Sequence, residues 1–262
     1  MNKIDLRHSA SVVSNTRICK DHYRLVLQEE TLPGVTLPGQ FVNIRIPKRE
    51  DLILRRPFSV ALVRPEKFLF EIVYRVVGKG TSAMSVLQPD DEVDLLGPLG
   101  KGFSIPEKET NCFLLGGGCG SASLWGVADK LYRMNCKMTV MLGFKSSVSV
   151  FGEDLFRAYD ADTFITTDDG SYGLKGLVSD HLEEVMDRPL ERAYVCGPTS
   201  MIKAVTPILK KTDVACEISL EAHMGCGFGV CLSCVASVRD GKVVEKQRVC
   251  TEGPVFRLED IA

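Results

Sequence analysis

Four cysteines in the last forty-odd residues carry the most specific chemistry in the sequence. Cys226-Gly227-Phe228-Gly229-Val230-Cys231-Leu232-Ser233-Cys234 reads C-x4-C-x2-C, and Cys250 follows after fifteen intervening residues. This is the plant-type ligand spacing of a [2Fe–2S] cluster. Such a cluster needs four thiolates, two on each iron, and a tight loop whose backbone N–H groups face the sulfides. Gly225, Gly227 and Gly229 permit the dihedrals and close approach that such a loop demands. Zinc is the rival reading. Zinc sites more often use paired C-x2-4-C knuckles, and a single such pair is present. A third reading, four unrelated buried thiols, fits poorly with a glycine-rich loop.

A second candidate site is built from glycines. Leu114-Leu115-Gly116-Gly117-Gly118-Cys119-Gly120 lies between an apolar run and a segment of helical spacing. A turn of this kind lets backbone N–H groups and a helix N-terminus meet a pyrophosphate. It departs from the G-x-G-x-x-G register, because the third glycine of that pattern would fall at Ser121 or Ser123. Tight strand–helix packing explains the glycines about as well. Tyr194-Val195-Cys196-Gly197-Pro198 ends a later strand at the same edge of the expected sheet, which is where open α/β sheets hold ligands. Two glycine turns at one edge point to a nucleotide crevice. A third candidate is Arg55-Arg56-Pro57-Phe58-Ser59. Arginine offers a rigid fork to phosphate, and Ser59 can hydrogen-bond a flavin. Read alone, the segment is equally an edge strand with an exposed charge pair.

The elements that must position these groups fall into three parts. In residues 1–103, short aromatic and β-branched segments such as Tyr23 to Leu27, Phe41 to Ile46 and Phe68 to Val76 alternate with turn signals at Pro33-Gly34, Pro38-Gly39, Gly78-Lys79-Gly80 and Pro89-Asp90-Asp91. This predicts a closed antiparallel barrel or a sandwich, with one helix from Thr81 to Leu87 capped by Thr81. Residues 104–214 alternate strand and helix. Strands are expected at Cys112 to Leu115, Lys137 to Leu142, Asp162 to Thr167 and Arg192 to Cys196. Helices are expected at Ser121 to Met134, Gly176 to Met186 and Ser200 to Lys211. That is the pattern of a parallel, doubly wound sheet. Residues 215–262 form a small cysteine- and glycine-rich piece.

Composition narrows the function. The 262 residues are 45% apolar and 25% charged, the ordinary globular balance. Lys and Arg number 32 against 34 Asp and Glu, a net charge of −2, so no basic field exists for a nucleic-acid backbone. No apolar run approaches the roughly 20 residues of a membrane helix. Met1-Asn2-Lys3-Ile4-Asp5 does not read as a secretory signal. The expected location is the cytoplasm, where ten cysteines are better explained by metal binding or catalysis than by disulfides. The scattered ones, Cys19, Cys112, Cys119, Cys136, Cys196 and Cys216, read mostly as small buried hydrophobes.

Taken together, these motifs resemble a known family. Arg56-Pro57-Phe58-Ser59, Tyr74-Arg75 with Gly78-Lys79-Gly80-Thr81, Gly97-Pro98-Leu99-Gly100, the triple-glycine loop and Cys196-Gly197-Pro198 form the motif series of ferredoxin-reductase-like flavoproteins. The C-terminal cysteines narrow the resemblance to the electron-transfer subunits of NAD-dependent (class 1B) dihydroorotate dehydrogenases. Ser219 to Cys226, Val249 to Phe256 and Thr167 to Gly173 are similar to that family's segments. The resemblance implies a Greek-key FAD-binding barrel, a nucleotide-binding domain and a [2Fe–2S] subdomain. It places Arg56, Pro57, Phe58 and Ser59 on FAD, with Arg56 at the pyrophosphate. Val73, Tyr74 and Arg75 would lie along the FAD, and Gly80 and Thr81 would receive its phosphates. Gly116, Gly117, Gly118, Gly120, Cys196, Gly197 and Pro198 would hold NAD. Cys226, Cys231, Cys234 and Cys250 would ligate the cluster. It further implies an FMN-containing dihydroorotate dehydrogenase catalytic subunit as partner, two of each chain, passing electrons through [2Fe–2S] and FAD to NAD+ in pyrimidine (UMP) biosynthesis. No catalytic side chain is expected, since hydride exchange at a flavin needs none.

Departures from the family pattern are Cys119 and Ser123 in the glycine loop, and His223 where an arginine is common; a surface or interface role is expected for His223. Lys145 could meet a 2′-phosphate or simply be solvated, and the resemblance favours NAD. The alternatives are an NAD(P)H-linked flavin/iron–sulfur reductase subunit of another oxidoreductase (a hydrogenase, sulfite reductase or glutamate-synthase-like enzyme) and a zinc-stapled interaction protein without redox activity.

Overall fold

The computed structural model describes residues 6–240 and 243–261. The reading of Met1 to Asp5 lies outside the described residues. Six strands build the first part: β1 (Arg7–Cys19), β2 (His22–Gln28), β3 (Phe41–Ile44), β4 (Arg56–Arg64), β5 (Leu69–Arg75) and β6 (Glu92–Leu99). Two short helices, α1 (Leu32–Val35) and α2 (Lys79–Met84), sit in the connections. The strands close in the order β1-β2-β5-β4-β3-β6, each pair antiparallel, which is a Greek-key barrel. Strand alternation fills it: Val42 and Ile44 of β3 join Leu25, Leu27, Phe70 and Ile72 inside. Thr81 is not the cap of α2. The helix begins at Lys79, and Thr81 Oγ1 reaches back to accept the N–H groups of Val77 and Gly78 at 2.9 and 3.2 Å.

The second part contains β7 (Asn111–Gly117), α3 (Trp125–Arg133), β8 (Lys137–Phe144), α4 (Glu153–Ala158), β9 (Asp162–Thr167), β10 (Leu174–Lys175), α5 (Val178–Met186), β11 (Arg192–Cys196), α6 (Thr199–Leu209) and β12 (Ala215–Ser219). Parallel strands buried on both faces read as continuous apolar runs, and β7 shows why. Cys112 and Leu114 enter one core with Trp125 and Leu131 of α3, while Phe113 and Leu115 enter another with Val185 of α5 and Val205 of α6. The helix expected from Ser121 starts later. A 3-10 turn over Gly118–Leu124 precedes α3, because the chain there is pressed against the end of β11.

The last part holds β13 (Val235–Asp240), β14 (Val243–Arg248) and β15 (Val255–Arg257). β13 and β14 form a separate hairpin, whereas β15 returns to pair antiparallel with β12, giving the sheet order β10-β9-β8-β7-β11-β12-β15. Cys234 and Cys250 share a small core with Phe41 and Leu99 of the barrel and Phe256 of β15. The cysteine segment is therefore lodged between barrel and sheet.

Candidate functional site

A single cleft of about 1120 Å³ joins the two larger parts. Its barrel wall carries Pro57, Phe58 and Ser59 of β4, Val73, Tyr74 and Arg75 of β5, and Thr81. Its floor is the carboxyl edge of the parallel sheet, with Gly117, Gly118, Cys119, Gly120, Cys196 and Pro198. Tyr74 is the anchor of the barrel wall. Its ring lies 5.7 Å from that of Tyr23 in a stacked arrangement and 6.0 Å edge-on from Phe58, and its hydroxyl donates to Asn15 Oδ1 at 3.1 Å. Two expected residues, Arg56 and Gly80, do not line the cleft. Arg56 directs Nη1 to the Leu54 carbonyl, and Gly80 lies beside the Arg56 side chain, where a Cβ would make ordinary contact with Nε. Arg55 is committed elsewhere, paired with Asp94 at 2.7 Å.

The two glycine turns meet edge to edge. β11 runs beside β7 with Cys196 opposite Gly116. A Cβ on Gly120 would lie 2.8 Å from the Cys196 carbonyl oxygen, and one on Gly116 would lie 2.8 Å from Ser121 Cα. Gly117 and Gly197 both close on Met201 of α6. These close contacts show that glycine is required for the two turns to pack against each other; Gly116 and Gly197 lie in that packing, while Gly117, Gly118 and Gly120 line the cleft and leave backbone there for a pyrophosphate to approach. Cys119 points across to the barrel, its thiol donating to the Val73 carbonyl at 3.4 Å. Burial pushes that thiol up to about 12 and the Cys196 thiol up to about 11, with the Ser123 and Ser219 hydroxyls partly opposing the second shift. Neither is poised as a nucleophile.

The cysteine loop forms two thiol pairs. The backbone N–H groups of Val230 and Cys231 donate to Cys226 Sγ at 3.3 and 3.4 Å, and that of Cys226 donates to Cys231 Sγ at 3.4 Å. The Ser233 hydroxyl, 3.2 Å away, and the Cys226 N–H hold the Cys231 thiol down to about 6. Cys234 and Cys250 are the buried pair, and burial with the neighbouring Cys234 pushes Cys250 up to about 12. Gly227 and Gly229 have φ of +80° and +91°, the left-handed values their positions required. Among the described residues, no three His, Cys, Asp or Glu side chains are placed to share one ion. Two pairs of thiols with N–H groups aimed at sulfur suit a cluster of two irons.

Several cleft residues were not singled out as site residues in the sequence. Glu221 stands on the cleft wall, and desolvation there raises its carboxyl. Asp168 and Lys145 line the far end, beyond Gly143. His223 is exposed at the rim. Spacing gives no signal for Glu221 or Asp168, which reach the cleft only through the order of the strands, whereas Lys145, expected as a candidate for a 2′-phosphate, does line it.

This barrel, sheet and cleft define a ferredoxin-reductase-like oxidoreductase. A family model described as an oxidoreductase NAD-binding domain matches residues 114–206. The structure of a ferredoxin NADP+ reductase from Neisseria gonorrhoeae shares the fold at 15% identity, with a TM-score of 0.66 over 79% of this chain and 92% of that one. An NADH-dependent reduced ferredoxin-NADP oxidoreductase structure is similar over 100% of this chain and 91% of that one, with a TM-score of 0.86 and 30% identity. The iron–sulfur cluster binding domain of dihydroorotate dehydrogenase B matches residues 221–262. The dihydroorotate dehydrogenase B (NAD(+)) electron transfer subunit of Shouchella clausii is 38% identical over 253 residues, covering 96% of each chain. That of Desulforamulus reducens is 37% identical over 248 residues, covering 94% of this chain and 95% of the other. The chain belongs to the family of dihydroorotate dehydrogenase B electron transfer subunits.

Proposed function

We propose that this chain carries electrons between an FMN-containing dihydroorotate dehydrogenase catalytic subunit and NAD+, through a [2Fe–2S] cluster and FAD, in pyrimidine biosynthesis. The observation that supports this best is continuity: one cleft runs from the flavin-type barrel strand across both glycine turns, and the cysteine loop packs directly on that barrel. The bound groups supply the electron chemistry, hydride exchange at a flavin and single electrons at a cluster. The chain supplies position. Pro57, Phe58, Ser59, Val73, Tyr74 and Arg75 form the flavin wall, with Arg56, Gly80 and Thr81 at its phosphate end. Gly116, Gly117, Gly118, Gly120, Cys196, Gly197 and Pro198 would hold the nicotinamide nucleotide at the sheet edge of the same cleft. Cys226 and Cys231 hold one iron, and Cys234 and Cys250 the other. The division of labour follows residues 1–103, 104–214 and 215–262. No side chain is assigned a proton transfer.

The proposed assembly is a heterotetramer, two of each subunit, in the cytoplasm. Among the described residues, no helix is long and apolar enough to cross a membrane. The 30% identity to the ferredoxin-NADP oxidoreductase structure favours a second reading, service to a different oxidoreductase. Co-expression with the FMN subunit, followed by an assay of dihydroorotate-dependent NAD+ reduction, separates the two. A complex that holds FAD and iron but reduces no NAD+ with dihydroorotate sinks the first reading. Stoichiometric zinc without acid-labile sulfide sinks both.

A further inference from the structure

Strand β3 faces two sites at once. With Val42 and Ile44 turned into the barrel, Phe41 and Asn43 are left on its outer face, against the cysteine segment. Asn43 is fully buried there although it is polar. Its Nδ2 donates to the carbonyl oxygen of Cys226 at 2.8 Å. The partner can only accept, so the amide nitrogen has to be the atom that faces it. Asn43 Oδ1, in contrast, has no hydrogen-bond partner among the described residues. A buried amide with one half unsatisfied costs stability, and an apolar side chain of similar size would fill the place without that cost.

The loop is shaped to admit this side chain. A Cβ on Gly227 would lie 2.3 Å from Asn43 Nδ2. On the other side, Asn43 pairs in register with Pro57 of β4. Arg55 Nη1 donates to the Asn43 carbonyl at 3.4 Å while its Nη2 pairs with Asp94, which fixes the backbone of β3. The Asn43 side chain therefore joins β3, the strand paired with the flavin-assigned β4, to the first cysteine of the loop.

We propose that Asn43 is a positioning residue for the iron–sulfur site, its amide bond to Cys226 setting where the first pair of thiolates stands relative to β4. This rests on the reading that the four cysteines hold a [2Fe–2S] cluster.

The test uses full-chain protein loaded with FAD and cluster, in parental, Asn43→Leu and Asn43→Ala forms. Asn43→Leu keeps about the same volume and loses the donor without adding a buried charge, and it carries the test should Asn43→Ala fail to fold. Loss of one neutral hydrogen bond should open the loop about 2- to 12-fold more often. Anaerobic release of iron to a chelator should rise by about that factor. The midpoint potential of the cluster, followed by EPR, should shift, because hydrogen bonding and exposure around the sulfurs set it. The flavin potential should stay at the parental value. Parental iron release and parental cluster potential in the variants would overturn the inference alone. A parental protein without a [2Fe–2S] signal would overturn the functional reading and this inference with it.

Discussion

Gly120 is where the proposed nucleotide cradle is least able to yield. A methyl group there would meet three backbone atoms: the Cys196 carbonyl oxygen at 2.8 Å, Gly197 Cα at 2.8 Å and the Cys196 carbonyl carbon at 2.9 Å. No rotamer change relieves a clash with backbone, so Gly120→Ala must push the two glycine turns apart. Overpacking of this kind costs about 1–3 kcal/mol. If the cost falls on the nucleotide-binding arrangement, NADH affinity drops by about 5- to 150-fold. Gly34→Ala is the control, because nothing among the described residues lies within 4 Å of its new methyl. The assay is an anaerobic NADH titration of the FAD-loaded protein, followed through the flavin absorbance, with FAD content measured in parallel. Gly120→Ala should retain FAD and bind NADH weakly. If it binds NADH within twofold of the parent, the two turns do not form the cradle and the assignment is wrong.

Three further outcomes are expected. Arg56→Ala should weaken FAD retention about 10- to 150-fold, the loss of a charge-assisted phosphate contact of about 1.5–3 kcal/mol; Arg55→Ala should spare FAD and lower thermal stability instead, because Arg55 is spent on Asp94, and equal FAD loss in both would refute the distinction. In protein stripped of iron, alkylation at pH 7 followed by peptide mapping should label Cys231 first, its thiol being held down to about 6, and leave Cys119 and Cys196 unlabelled. Glu29 should make stability acid-sensitive: burial alone would raise its carboxyl, but the Leu32 N–H, His8 and the Thr31 N–H outweigh it and lower the pKa below 4.5. That contribution is complete above pH 4.5 and is lost as pH falls through the lowered folded value, so Glu29→Gln should flatten the acid limb of a stability–pH curve, and an unchanged limb would refute it.

The sequence exposed what depends on local spacing. The four cysteines, the two glycine turns and the period-2 barrel strands could be read because each feature lies within one short segment. Cys196 and Gly116 could be placed at one edge because both end parallel strands. What depends on packing between distant segments was hidden. Asn43 looked like an ordinary strand residue, and nothing local shows that Cys226, far along the chain, comes to rest on it. Helix starts were misplaced for a similar reason. Thr81 has the cap residue type, but Gly78 is the residue at which the backbone turns, and the contact of Gly120 with β11 delays α3. Glu221 lies in a stretch whose resemblance pointed to the cluster, while its carboxyl faces the cleft.

The return of β15 to the sheet has an evolutionary consequence. Ser219 at the end of β12 pairs with Val255 at the start of β15, and the Leu220 N–H donates to the Pro254 carbonyl at 2.9 Å. Residues 220–254 thus leave and re-enter the sheet at neighbouring points, one strand spacing apart. A lineage could gain, exchange or discard such an excursion without disturbing the order of the strands that flank it. A short turn in its place would still join β12 to β15 in the same register, and the loss would fall on the barrel face where Phe41, Asn43 and Leu99 now meet the cysteine loop.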